Sequence, residues 1–197
     1  MQKILLIFIS ISIGCHCFSQ QINLRDFNSQ SQLINKKGLL VLGGWSAANV
    51  IYGSIASSRT TGTTKYFHQM NALWNGITLG ITSAGYFLSK KDTDLSYEAT
   101  LKKQAGVEKL FLFNAGLDVA YIAGGLYLNE RSKSSIKDKN KLKGYGESIV
   151  LQGSALLLFD AIMYAINNKH GKQLYLANKN VSFRSTGTGL GLVVSVP

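Results

Sequence analysis

Leu110-Phe-Leu-Phe-Asn-Ala-Gly-Leu-Asp118-Val-Ala-Tyr-Ile-Ala-Gly-Gly-Leu-Tyr-Leu128 decides how this chain is read. It is long enough to cross a bilayer, because about 20 mostly apolar residues span the hydrocarbon region. It also carries an acid in its middle. An aspartate at a helix centre costs about 2.5 to 3.5 kcal/mol on an insertion scale, and each Leu, Ile, Phe or Val returns roughly 0.3 to 0.6. Nine such residues between Leu110 and Leu128 bring the balance close to zero. This helix therefore inserts with help from neighbours, and Asp118 is expected to face them.

Three further segments of similar length flank it: Gly38–Ser57, Phe67–Leu88 and Ser148–Asn167. No Asp, Glu, Lys or Arg falls between Lys37 and Arg59, or between Lys65 and Lys90; the fourth segment holds one acid, Asp160. Mean hydropathy is only +0.09, because lysine and arginine are concentrated in the connections. Helices apolar all round are buried either in lipid or in a large core. A chain of 197 residues has too little left over to wrap four such helices in water. The expected fold class is all-α, an integral membrane four-helix bundle.

The ends read differently. Lys3, the apolar run Ile4–Ile13 and Cys17-Phe-Ser19 resemble a secretory signal, giving an expected signal peptide over 1–19 with cleavage before Gln20. A lipid-modified Cys15 is the alternative. Cleavage before Gln20 removes both cysteines, and with them disulfides, zinc–thiolate sites and thiol nucleophiles. Residues 20–37 form a polar lead-in, 38–168 the four-helix domain, and 169–197 an extramembrane tail. In that tail, alternation around Gly187-Thr-Gly189 predicts a short β-hairpin. Gly187-Thr-Gly-Leu-Gly191 lacks the Lys-Ser/Thr and following helix of a phosphate loop.

The formal charge of +11 invites a nucleic-acid reading, but the densest basic run, Arg131 to Lys143, lies between two apolar segments. Basic connections beside membrane helices follow from orientation and anionic lipid, so no nucleic-acid partner is expected. A cleaved signal puts the mature N-terminus in the periplasm. The connections Ser58–Tyr66 and Asn129–Tyr145 then face the cytoplasm.

Polar groups in the spans repeat at helical spacing. Asn71, Asn75, Thr78 and Thr82 share one face of the second segment; Ser46, Asn49 and Tyr52 share one face of the first. The third supplies Asn114, Asp118 and Tyr121, the fourth Glu147, Gln152 and Asp160. The expected polar seam is thus Asn49, Tyr52, Asn71, Asn75, Asp118, Tyr121, Glu147, Gln152 and Asp160. Its bland reading is interhelical hydrogen bonding; Asp118 and Asp160 are the candidates for ion or proton handling. Small residues four apart (Gly43/Ala47, Gly76/Gly80, Gly116/Ala120, Ala120/Gly124, Ala161/Ala165) are expected to let helices approach. His68 is a weak metal candidate without a partner, since His16 lies in the signal and His170 in the basic tail; it reads as an interfacial histidine. There is no nucleophile elbow, and no cofactor is expected.

The halves echo one another: Asn49-Val-Ile-Tyr52 matches Asp118-Val-Ala-Tyr121, and Trp74-Asn75-Gly76 sits like Leu151-Gln152-Gly153. Two repeated helical hairpins would produce this. Gly43-Gly-Trp45-Ser-Ala-Ala-Asn49, Tyr66-Phe-His68-Gln-Met-Asn71-Ala-Leu-Trp74-Asn75, Leu117-Asp118-Val-Ala-Tyr121, Gly144-Tyr-Gly-Glu147, Leu151-Gln-Gly153 and Phe159-Asp160 resemble an uncharacterised family of small bacterial membrane proteins, a domain of unknown function. The resemblance covers about Lys36 to Asn167. It implies four spans and carries no activity, ligand or assigned residue.

The sequence-based expectation is a multi-pass protein of the bacterial inner membrane. It acts without catalysis as a structural or interaction component of the envelope, as a homo-oligomer or with an envelope partner. The alternative is a small channel or proton-linked transporter subunit using Asp118 and Asp160. An enzyme using Glu147, His68 and the aspartates ranks third.

Overall fold

The computed structural model describes residues 22–89 and 92–177, together with the backbone of two strands in the tail; side chains are described to Leu176. The expected signal peptide, its cleavage site, Cys15 and the glycine turn at 187–188 lie outside the described residues. Four helices account for nearly everything else: α1 (Leu24–Arg59), α2 (Gly62–Leu88), α3 (Tyr97–Ser134) and α4 (Lys139–Ala177).

The helices are longer than the apolar segments. At 1.5 Å per residue α1 measures about 54 Å, against about 30 Å of hydrocarbon. α1 starts at Leu24, where the Asn23 side chain accepts from the Arg25 and Asp26 amides at 3.1 and 3.3 Å, so the polar lead-in is the first part of α1 rather than a separate element. Ser96 caps α3 in the same way, accepting from the Ala99 amide at 3.3 Å. The links at the opposite end are short. Thr60 and Thr61 join α1 to α2, and Gly62 takes a φ of +60°, a left-handed conformation that glycine adopts without steric cost. Most of the basic residues assigned to connections, among them Arg131, Lys133, Lys139, Lys141 and Lys143, stand on the ends of α3 and α4.

Burial is inverted relative to a water-soluble bundle. Among the described residues the buried large apolar side chains are Phe27, Met163 and Leu174, whereas Ser46, Asn71, Asn75, Gln104, Asp118, Ser148, Gln152 and Asn167 are all buried. Leu40, Ile51 and Phe113 point outward, each more than half exposed. Three helices, α1, α3 and α4, are long and apolar enough to cross a membrane. α2, which the sequence reading counted as a span, falls short of that measure, because its inward stripe of Asn71, Asn75, Thr78 and Thr82 lowers its mean hydropathy.

Close approach uses different glycines from those expected. A Cβ on Gly146 would sit 2.6 Å from the Gly125 carbonyl oxygen, and one on Gly125 would sit 2.7 Å from that of Gly146. Gly144 meets the Thr63–Phe67 backbone of α2, Gly153 meets Asp118 and Ile122 of α3, and Gly53 meets His68 and Ala72 of α2. Gly76, Gly80, Gly116 and Gly124 have nothing within 4 Å. Four-residue spacing shows that two glycines share a face; it does not say which face meets a neighbour.

α4 touches all three other helices: α3 through these glycines, α2 through Gly144, and α1 where Gly38 meets Met163. By contrast, the backbones of α2 and α3 nowhere come within 8 Å, Cα to Cα. Residues at equal height on the parallel pairs are 72–73 apart for α1/α3 and 81 apart for α2/α4. These offsets lie about one turn from the 69 and 77 of the sequence echo. The tail, a separate unit, pairs Val181–Thr186 antiparallel with Gly189–Val194, Phe183 opposite Leu192.

Candidate functional site

The polar seam divides into a belt, a carboxyl pair and a terminal cluster. In the belt, Asn71 Nδ2 of α2 donates to Asn49 Oδ1 of α1 at 3.0 Å, and Asn49 Nδ2 donates to the Trp45 carbonyl at 2.9 Å. Asn75 Nδ2 donates to the Asn71 carbonyl at 2.8 Å and to its Oδ1 at 3.3 Å. Gln152 Nε2 of α4 also donates to Asn71 Oδ1, while Trp45 Nε1 donates to Gln152 Oε1 at 3.4 Å. Three helices are thereby tied at one height. The indole N–H of Trp45 was not among the expected seam residues; a tryptophan in an apolar run signals burial area before it signals a donor.

Two expected members lie elsewhere. Tyr52 is 62 % exposed, its ring edge-on to His68 with centroids 5.3 Å apart. Glu147 sits on the outside of α4, 3.8 Å from Lys143 one turn earlier. His68 also contacts the Phe67 ring and has a buried Nδ1 without a hydrogen-bond partner. Among the described residues no three His, Cys, Asp or Glu side chains gather as a metal site would require. Glu147, His68 and the aspartates are not brought together.

Asp118 of α3 and Asp160 of α4 are both buried and are brought to the same cavity. The Oδ2 of Asp118 has no hydrogen-bond partner, and an unpaired buried acceptor costs about 1–3 kcal/mol. Both aspartates line a cavity of about 690 Å³, within the roughly 300–1,000 Å³ of small-molecule sites. The cavity lies in the gap between α2 and α3, with Leu39 and Met163 at its back, Ile77 and Ile81 on one wall and Phe111 and Leu117 on the other. Trp74 and Tyr121 bridge the gap edge to face, centroids 4.8 Å apart.

The terminal cluster joins the ends of α1, α3 and α4. Gln104 Nε2 donates to Glu108 Oε1 and to the Asn167 carbonyl, both at 2.8 Å; Asn28 Nδ2 donates to Thr100 Oγ1 at 2.9 Å. His170 stacks on Phe27 at 4.0 Å, and its Nε2–H donates to the Phe27 carbonyl at 3.1 Å. Burial holds that imidazole below the usual histidine range, with the carbonyl bond acting weakly the other way. Tyr175 donates to Glu108 at 3.0 Å, and burial, then the Glu108 carboxylate, push its hydroxyl up to about 12. Sequence reading missed this cluster, since its contacts join residues 60 to 140 positions apart with no span to mark them.

The profile of the family of unknown function (DUF6992) matches residues 41–161, which takes in the belt and the carboxyl pair and, of the terminal cluster, only Thr100, Gln104 and Glu108 on α3. No curated protein and no solved structure matches the chain.

Proposed function

The chain belongs to DUF6992, a family of unknown function, and from that premise we propose that it is a multi-pass protein of the bacterial inner membrane, acting without catalysis as a structural or interaction component of the envelope. The observation that carries this reading is the inverted burial: amides and carboxyls inside, leucine, isoleucine and phenylalanine outside. In water such a surface would aggregate; in lipid it is the ordinary exterior, and the interior amides supply the association energy. A signal-like N-terminus supports a periplasmic start for α1, with the short links and the basic helix ends beside them facing the cytoplasm.

The paired carboxyls favour a second reading, a small channel or proton-linked transporter subunit. Co-purification of the tagged chain from native membranes, read by mass spectrometry, tests the first. A stoichiometric partner or a stable homo-oligomer is expected, and a lone monomer at every detergent concentration opposes it. Proton flux in proteoliposomes tests the second: Asp118→Asn is expected to abolish it, and flux equal to the parent's removes that reading.

A further inference from the structure

Among the described residues α2 and α3 stand apart, bridged by Trp74 and Tyr121. The space between them is mostly apolar; Asn35, Thr78, Thr82 and Asn114 add neutral polar groups, and Asp118 and Asp160 are its acidic groups. Asp118 is only 3 % exposed, yet its Oδ2 has no hydrogen-bond partner.

We propose that this groove is a binding site for a membrane-soluble amphiphile with an apolar body and a single ammonium head, the head seated on Asp118 and Asp160. The inference rests on the membrane reading above and adds a ligand class to it. Charge complementarity selects the head. A carboxylate buried in an apolar cavity is stable only when paired and hydrogen-bonded, and two aspartates line this one. An ammonium brings one positive charge and up to three N–H donors for those carboxyl groups. The faces of Trp74 and Tyr121 at the rim favour a cation too. Isoleucine and leucine walls suit an aliphatic or aromatic body, and the opening between α2 and α3 lets it enter sideways.

The test uses the full chain in phosphatidylcholine nanodiscs with dansylcadaverine, a primary ammonium on an aromatic body, and its N-acetyl derivative, which has the same body and no charge. Dansyl emission in excess of empty nanodiscs is expected to saturate with the amine, and the acetylated probe is expected to bind at least fivefold more weakly. Asp118→Asn is expected to raise the half-saturating concentration at least fivefold. Ile81→Trp, which fills the groove from its outer wall without touching a charge, is expected to do the same, so a failure of the first variant to fold leaves the idea testable. Absence of saturable emission, equal binding of the acetylated probe, or a change below fivefold in a folded variant overturns the proposal. So does cross-linking of a second copy or a partner helix into the groove through residue 81. Failure of the membrane reading would show earlier and separately, as a chain that needs neither detergent nor nanodisc.

Discussion

The amide belt and the α2–α3 groove lie side by side in one bundle, built from the same kinds of residue, yet they are finished differently. In the belt the Asn71 carboxamide donates to Asn49 and accepts from Asn75 and Gln152, and the helices it joins meet at glycine. In the groove the helices stand apart, and a buried carboxylate oxygen has no partner. Ser46, Ser148 and Asn167 also hold buried oxygens without a partner; what sets the groove apart is an unpaired oxygen on a carboxyl residue that lines a cavity. The distinction can be tested from both sides.

Closing the glycine crossing between α3 and α4 should hurt most. Gly146→Leu puts a side chain where the Gly125 carbonyl and Asn129 Oδ1 are each 2.6 Å from a bare Cβ, and overpacking of this kind costs about 3 kcal/mol. Thermal melting in detergent should show it as a large fall in Tm, while Gly80→Leu, with nothing within 4 Å, should melt like the parent. Equal melting of the two variants would remove glycine contact as the basis of the fold.

Breaking the belt itself comes next. Asn71→Leu leaves Gln152 Nε2 and Asn49 Oδ1 without their shared partner, a loss of about 1–3 kcal/mol. Asp118→Asn in the groove keeps the side chain's shape, so a change of less than about 1 kcal/mol is expected. If Asp118→Asn destabilised the chain as much as Asn71→Leu, the contrast between a structural belt and an unsaturated groove would fail.

The smallest effect belongs to the terminal cluster and depends on pH. Burial depresses the folded-state pKa of His170 below its unfolded value, so between the two values the unfolded chain binds more protons. Stability therefore rises with pH through that window and is lost as pH falls below about 6.5. Protection of amides near Phe27, taken against the intrinsic exchange rate at each pH, should fall on acidification from pH 7 to 5, and His170→Gln should remove most of the response. Protection independent of pH would rule out His170 as its source.

Particular residues show how much of this was legible in the sequence. Apolar length and one mid-span acid in each of two segments were enough for four helices and for the inward placement of Asp118 and Asp160. Helical spacing put Asn71, Asn75, Thr78 and Thr82 on one face, and Asn71, Asn75 and Thr82 are buried. The same reasoning misplaced Tyr52 and Glu147, because periodicity fixes a face only relative to its own helix. Which face meets a neighbour depends on the rotation of both helices. Gly144 and Gly146 show the limit: two positions apart, they serve two different partners, α2 and α3, a pattern no four-residue search detects. The terminal cluster was invisible for a different reason, since its buried Asn28, Gln104 and Asn167 are residues that usually mark a surface.

Whether lipid surrounds the outward leucines and isoleucines decides more than any substitution. Membranes from cells producing the chain should be washed in alkaline carbonate and the pellet and supernatant compared. Retention of the chain in the pellet, with release only by detergent, is the predicted result; a monodisperse chain in the detergent-free supernatant would contradict it.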